Sequence, residues 1–214
     1  MNEWLLITHI FALFPIGMFI FSYKTRYDPE SIFILIKFIF CVTFSFIYHS
    51  YDIENSVLDK SVESIWTLLD GYASTTLIFT ATLYSLRVRS PNIYIISSFF
   101  EPFVLAIYLM KSLSYLIIWT LLVSCFIIII IQWKTLYRYL TKYIIISILL
   151  ISCIITSAIT FFIAYSNGLN NEYITFHSLW HFFVFISAGM GALLRFKLNE
   201  MLYPVIRREQ VDSI

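Results

Sequence analysis

The sequence predicts an all-α protein, a bundle of seven transmembrane helices forming a single membrane domain over residues 1–214. Three observations predict it. Of all residues, 60% are apolar and only 13% are charged, about half of the roughly 25% charged share of a soluble domain. Apolar runs of about 20 residues recur along the whole length, each long enough to cross a hydrocarbon core about 30 Å thick. Lys and Arg gather in alternate connectors, as they do in polytopic membrane proteins. With 21 Phe, 15 Tyr and only 5 Gly and 5 Pro, the composition excludes a disordered or low-complexity chain. A net charge of +1 gives nucleic acid no electrostatic footing.

The first span covers about 3–22; its start lacks a basic leader and a small-residue cleavage site, so it is expected to be retained. The second and third, about 31–50 and 62–85, carry most of the polar residues considered below. The fourth and fifth, about 92–110 and 113–133, are joined by a very short connector. The sixth and seventh cover about 140–165 and 173–194. All must be helices or barrel strands, because lipid offers backbone amides no partner. Strands would alternate apolar and polar residues, which the runs Ile127 to Ile131 and Ile144 to Ile151 do not. Cys41, Cys125 and Cys153 all lie inside apolar runs and read as small buried hydrophobes, with no disulfide framework.

Orientation follows from charge. Lys24, Arg26, Arg87, Arg89, Lys134, Arg138, Lys142, Arg195, Lys197, Arg207 and Arg208 fall on one side, and only Lys60 and Lys111 on the other. The positive-inside rule then predicts an outer or lumenal N-terminus and a cytoplasmic C-terminus. This pattern serves the endoplasmic reticulum, Golgi and plasma membrane alike. A homodimer remains open, since small-residue helix faces such as Ala188, Gly189, Gly191 and Ala192 serve close packing within or between bundles.

Ionisable groups inside spans are costly and point to function. Ser45 and His49 in span two, Asp70 and Ser74 in span three, and His177 and His181 in span seven are each four residues apart. Each pair therefore shares a helix face. At about 1.5 Å per residue, Asp70 and His181 lie about 12 Å below the outer ends of their spans, with His177 about 6 Å down. His49 sits at the outer end of span two. The common depth makes His49, His177 and His181 a candidate zinc tripod with one position left for water. Zinc lowers the pKa of such a water to about 7. Asp70 is a candidate to accept its proton, and Ser45 to donate to a developing oxyanion. Iron and copper suit this carboxylate-and-hydroxyl setting less well.

The stretches Ser45-x-x-Tyr48-His49-x-x-Asp52, Asp70-x-x-x-Ser74 and Tyr173-x-x-x-His177-Ser178-x-Trp180-His181 resemble the CREST superfamily of seven-span membrane proteins, which includes alkaline ceramidases and adiponectin receptors. They look most like the branch of myomaker and the GPI-cleaving phospholipase A2-type proteins. The resemblance covers nearly the whole chain in span number, orientation and motif order. It implies that His49, His177 and His181 bind zinc, and that Asp70 positions or deprotonates the water with Ser45 assisting. The sequence departs from that branch at Tyr51, where Cys is usual, and lacks a large N-terminal ectodomain and the acylatable cysteines of a fusion-type tail.

Other polar residues carry blander expectations. His9, at outer depth in span one, reads as a packed or interfacial histidine, the alternative being that it lines the same cavity. Asp52 is expected to cap or hydrate an acidic connector, the alternative being a contact to a histidine ligand. Glu101, before Pro102, predicts an irregular fourth span or a wet interior face. Lys37 is expected to snorkel towards the cytoplasmic interface. Together these readings predict a zinc-dependent hydrolase of a lipid ester or amide (ceramide, GPI lipid or glycerophospholipid). The competing expectation is a non-enzymatic remodelling or fusion protein in which zinc is structural.

Overall fold

In a computed structural model, residues 3–26, 29–54, 60–88, 91–110, 114–166 and 171–202 are described. They are helical throughout apart from short turns, with no strand among them. The chain runs α1 (Glu3–Thr8), a 3-10 turn (His9–Ala12), α2 (Leu13–Arg26), α3 (Pro29–Glu54), α4 (Lys60–Ser85), α5 (Asn92–Leu109), α6 (Ser114–Ile131), α7 (Trp133–Lys142), α8 (Ile144–Ser166) and α9 (Asn171–Leu202).

Each predicted span coincides with a helical stretch, but not every stretch is long and apolar enough to cross a membrane on its own. Among the described residues, Pro29–Ser50, Asn92–Leu109, Ile144–Ala164 and Glu172–Asn199 are; α6 and α7 add a fifth as a pair bent by 75°. The chain is thus a multi-pass membrane protein. Helix α4 falls short of apolarity because Asp70, Ser74, Thr75, Thr76, Thr80 and Thr82 dilute it. The hydroxyls of Thr75, Thr76, Thr80 and Thr82 are nevertheless satisfied within the helix. Thr75 donates to the Gly71 carbonyl at 2.8 Å, Thr80 to Thr76 at 2.7 Å and Thr82 to Ile78 at 2.8 Å. This polar helix packs against α3, α5, α6 and α9.

Three apolar clusters hold the bundle. Phe19, Ile34, Phe38, Tyr84 and Phe185 join α2, α3, α4 and α9. Phe79, Leu83, Phe100, Val104 and Ile128 join α4, α5 and α6. Tyr139, Leu194 and Leu198 seat α7 against α9. The outward faces are apolar too: Ile145 is 72% exposed and Phe126 63%, which suits lipid and not water. The small residues of α9 do admit close neighbours, with Phe14 of α2 lying against Gly189 and Ser85 of α4 against Gly191.

Two features were not expected. Helix α5 runs unbroken from Asn92 to Leu109 through Pro102, so Glu101 marks no irregular span. Its carboxylate meets Lys37 of α3 at 2.5 Å. Lys37 therefore pairs across helices instead of reaching for the interface. Arg195, counted with the cytoplasmic tail, belongs to α9, which extends to Leu202. It is buried, donating to the Tyr84 carbonyl at 2.7 Å, with Glu30 at 3.6 Å and the Tyr84 ring 4.1 Å from its guanidinium.

Candidate metal centre

Three imidazoles meet where α3 ends beside the first turns of α9. His49, from α3, is fully buried; His177 and His181, one turn apart on α9, are buried as well. Their ring centres form a near-equilateral triangle, with His49–His177 at 4.9 Å, His177–His181 at 4.9 Å and His49–His181 at 5.2 Å. One ligand nitrogen from each lies within 4.8 Å of the others, so the group can hold a metal ion. Imidazoles at about 2.0–2.1 Å from one tetrahedral ion would have nitrogens about 3.3 Å apart and ring centres about 5 Å apart. The Nε2 atoms of His49 and His181 are 3.2 Å apart. His49 Nδ1 and His177 Nε2 are buried with no hydrogen bond. Buried polar atoms normally have a partner; the donor set fits a metal in spacing, and an ion would supply a partner to His177 Nε2.

Aromatic rings enclose the three. Tyr48 packs on His49 at 4.8 Å, Tyr173 and Trp180 on His177 at 4.9 and 5.0 Å, and Phe185 on His181 at 5.6 Å. A small, partly open cleft adjoins them between α3, α4 and α9, lined by Cys41, Ser45, Ser74, Trp180 and His181. Ser45 is almost wholly buried there, and its hydroxyl makes no hydrogen bond. Asp70 is approached by the hydroxyls of Ser45 and Ser74, while its own Oδ1 is buried with no full hydrogen bond closing on it. Ser74 also meets the Cys41 thiol at 3.4 Å.

The candidate residues of α3, α4 and α9 are therefore neighbours, in one imidazole group and one adjoining carboxylate–hydroxyl group. The side chain of Asp52 lies outside the described residues. The Lys37–Glu101 pair is no part of the site, since Lys37 precedes His49 by about 18 Å of helix. His9 is part of its surroundings. Its ring is 4.7 Å from that of His181 and 5.9 Å from that of His49, and it is buried. Helical spacing within span one gave no sign of this, because the neighbours of His9 come from other helices. Its outer depth was one signal, and Pro15 is a second, local one. Proline removes an amide and crowds the carbonyl four residues earlier, and the helix is interrupted by the 3-10 turn His9–Ala12 just before it.

No curated protein and no solved structure matches the chain. A family model does, over residues 4–182, a range that holds all four of these histidines together with Ser45 and Asp70. The chain belongs to the family described as "Protein of unknown function (DUF3522)".

Proposed function

We propose that the protein is a zinc-dependent intramembrane hydrolase of a lipid ester or amide, acting near the outer or lumenal leaflet. The observation that carries this reading is the buried three-imidazole group, with Ser45 and Ser74 lining the cleft beside His181 and Asp70 next to those two hydroxyls. An all-imidazole donor set suits zinc. Bound there, zinc would polarise a carbonyl and acidify a water. His49, His177 and His181 hold the ion. Asp70 takes a proton from the water whose oxygen adds to the carbonyl carbon. Ser45 donates its hydroxyl hydrogen bond to the carbonyl oxygen as charge develops. The bond from that carbon to oxygen or nitrogen then breaks, and the proton at Asp70 passes to the departing alkoxide or amine. The products are a fatty acid and an alcohol or amine. A lipid is favoured over a water-soluble substrate because the cleft is otherwise walled by groups such as Val42, Leu77, Val184 and Phe185.

The same reading takes all seven helical stretches as crossings, with the N-terminus outside or lumenal and the C-terminus cytoplasmic, in the endoplasmic reticulum, Golgi or plasma membrane. The bias of Lys and Arg towards one side, ten to two once the buried Arg195 is set aside, supports it. So does the inward packing of α4's buried Thr75, Thr76 and Thr80.

Metal analysis of the purified chain, paired with lipidomics of cells with and without it, tests the proposal. About one zinc per chain, lost in His177→Ala and His181→Ala together with a fatty-acid product, is the expected result. Zinc present with no change in any lipid class would reject hydrolysis. It would favour the non-enzymatic reading, in which the ion staples α3 to α9 and histidine variants lose folded protein and membrane remodelling or cell mixing together.

A further inference from the structure

We infer that His9 is a fourth imidazole of this metal centre, one that closes it until a substrate or water displaces it. The inference rests on the metal reading above and concerns how that centre is regulated. Its ground is the ring geometry. Ring centres of imidazoles sharing one tetrahedral ion lie about 5 Å apart. His9 stands at 4.7 Å from His181 and 5.9 Å from His49, so it already has the ligand spacing to His181, and movement of its turn towards His49 and His177 would bring it to an ion held by those three. It comes from a third direction, on the 3-10 turn that packs against α9 and α3.

The local backbone suits a ligand that comes and goes. In a 3-10 turn residues three apart are eclipsed, and His9 and Ala12 are the two buried residues of this one, facing inward together. Ile10 and Leu13, by contrast, are 61% and 65% exposed. Phe46 and Phe185 stand edge-on to the His9 ring at 5.8 and 6.0 Å, confining it between apolar walls. A short 3-10 segment within a helix commonly marks a hinge. Four protein ligands describe a closed site, and three with an open position describe a catalytic one. Movement of one turn between α1 and α2 would convert the first into the second.

The full chain, purified in nanodiscs and loaded with zinc, provides the test by X-ray absorption at the zinc edge. Wild type is expected to show four imidazole nitrogens. His9→Ala is expected to show three plus one oxygen, with zinc affinity reduced roughly tenfold or more, a scale that outer-shell losses already reach. His9→Gln, which keeps bulk and polarity, guards against a packing defect and should also give three nitrogens. Three nitrogens plus an oxygen in wild type and both variants would overturn the role of His9 while leaving the three-histidine centre intact. A wild-type chain that takes up no zinc would overturn both.

Discussion

Asp70→Asn changes one atom in the proposed chemistry and almost nothing in volume. Its Oδ1 is buried without a closing hydrogen bond, and the hydroxyls of Ser45 and Ser74 approach the carboxylate. The amide fits the same space but takes no proton. Lipid turnover should fall by a factor of about 10² to 10⁴, the usual range for a general acid–base group. Zinc content should stay at the wild-type level, which separates this variant from those of the histidines. A loss of zinc together with turnover would show Asp70 to be part of the ion's own environment instead. A different residue tests stability alone. Arg87 has φ 59°, and the amides of Arg87 and Val88 donate to the carbonyls of Tyr84 and Leu83. That is a Schellman ending for α4, normally built on glycine. An L-residue there carries about 1–2 kcal/mol of strain, so Arg87→Gly should raise unfolding free energy by about 1 kcal/mol, read as a higher melting temperature in detergent. Residues such as Asp70, His177 and His181 could be singled out from sequence because helical spacing and depth are both local quantities. The left-handed turn at Arg87 could not, since no glycine announced it.

Among elements, α3 and α5 are joined by the Lys37–Glu101 pair, whose side chains are 15% and 27% exposed to what surrounds the bundle. That surrounding is lipid, so water neither screens the charges nor replaces a lost partner. Removing one charge leaves the other exposed to a medium that solvates it poorly. Lys37→Met and Glu101→Gln should each destabilise by about 2–3 kcal/mol, and the double variant by less than their sum. Equal, additive losses on thermal unfolding would show the pair to be incidental. From sequence, each residue was read against the membrane alone, Lys37 as snorkelling and Glu101 as marking an irregular span or a wet interior face. Their pairing needs the register of two helices 64 residues apart, which periodicity within one helix does not contain. Helix α7 was hidden for a related reason. Its Trp133, Lys134, Tyr137 and Arg138 looked like the flanks of two long spans. The chain instead bends by 75° between α6 and α7, and Tyr139 anchors the short helix by donating to the Ser85 carbonyl at 2.5 Å.

For the molecule as a whole, the number of crossings turns on α4. By length and apolarity alone it is not counted among the crossing helices, yet it packs against α3, α5, α6 and α9. Hydropathy averages over all faces of a helix, whereas lipid meets only the outward one. Thr75, Thr76 and Thr80 are buried, and hydroxyls donating to carbonyls one turn back need no water. A crossing α4 puts the connectors on its two sides in different compartments. In a chain whose Cys41, Cys125 and Cys153 are replaced by Ala, single cysteines at Ser56 and Ser90 flank α4, and those at Ser112 and Asn167 mark later outer connectors. A membrane-impermeant maleimide added to intact cells or sealed vesicles of known orientation should label Ser56→Cys, Ser112→Cys and Asn167→Cys from the outer or lumenal side. Ser90→Cys should react only after permeabilisation. If Ser56→Cys and Ser90→Cys label from the same side, α4 does not cross. His49 and Asp70 would then lose their shared depth, and the bilayer position proposed for the catalytic cleft would have to be abandoned even with the three imidazoles still together.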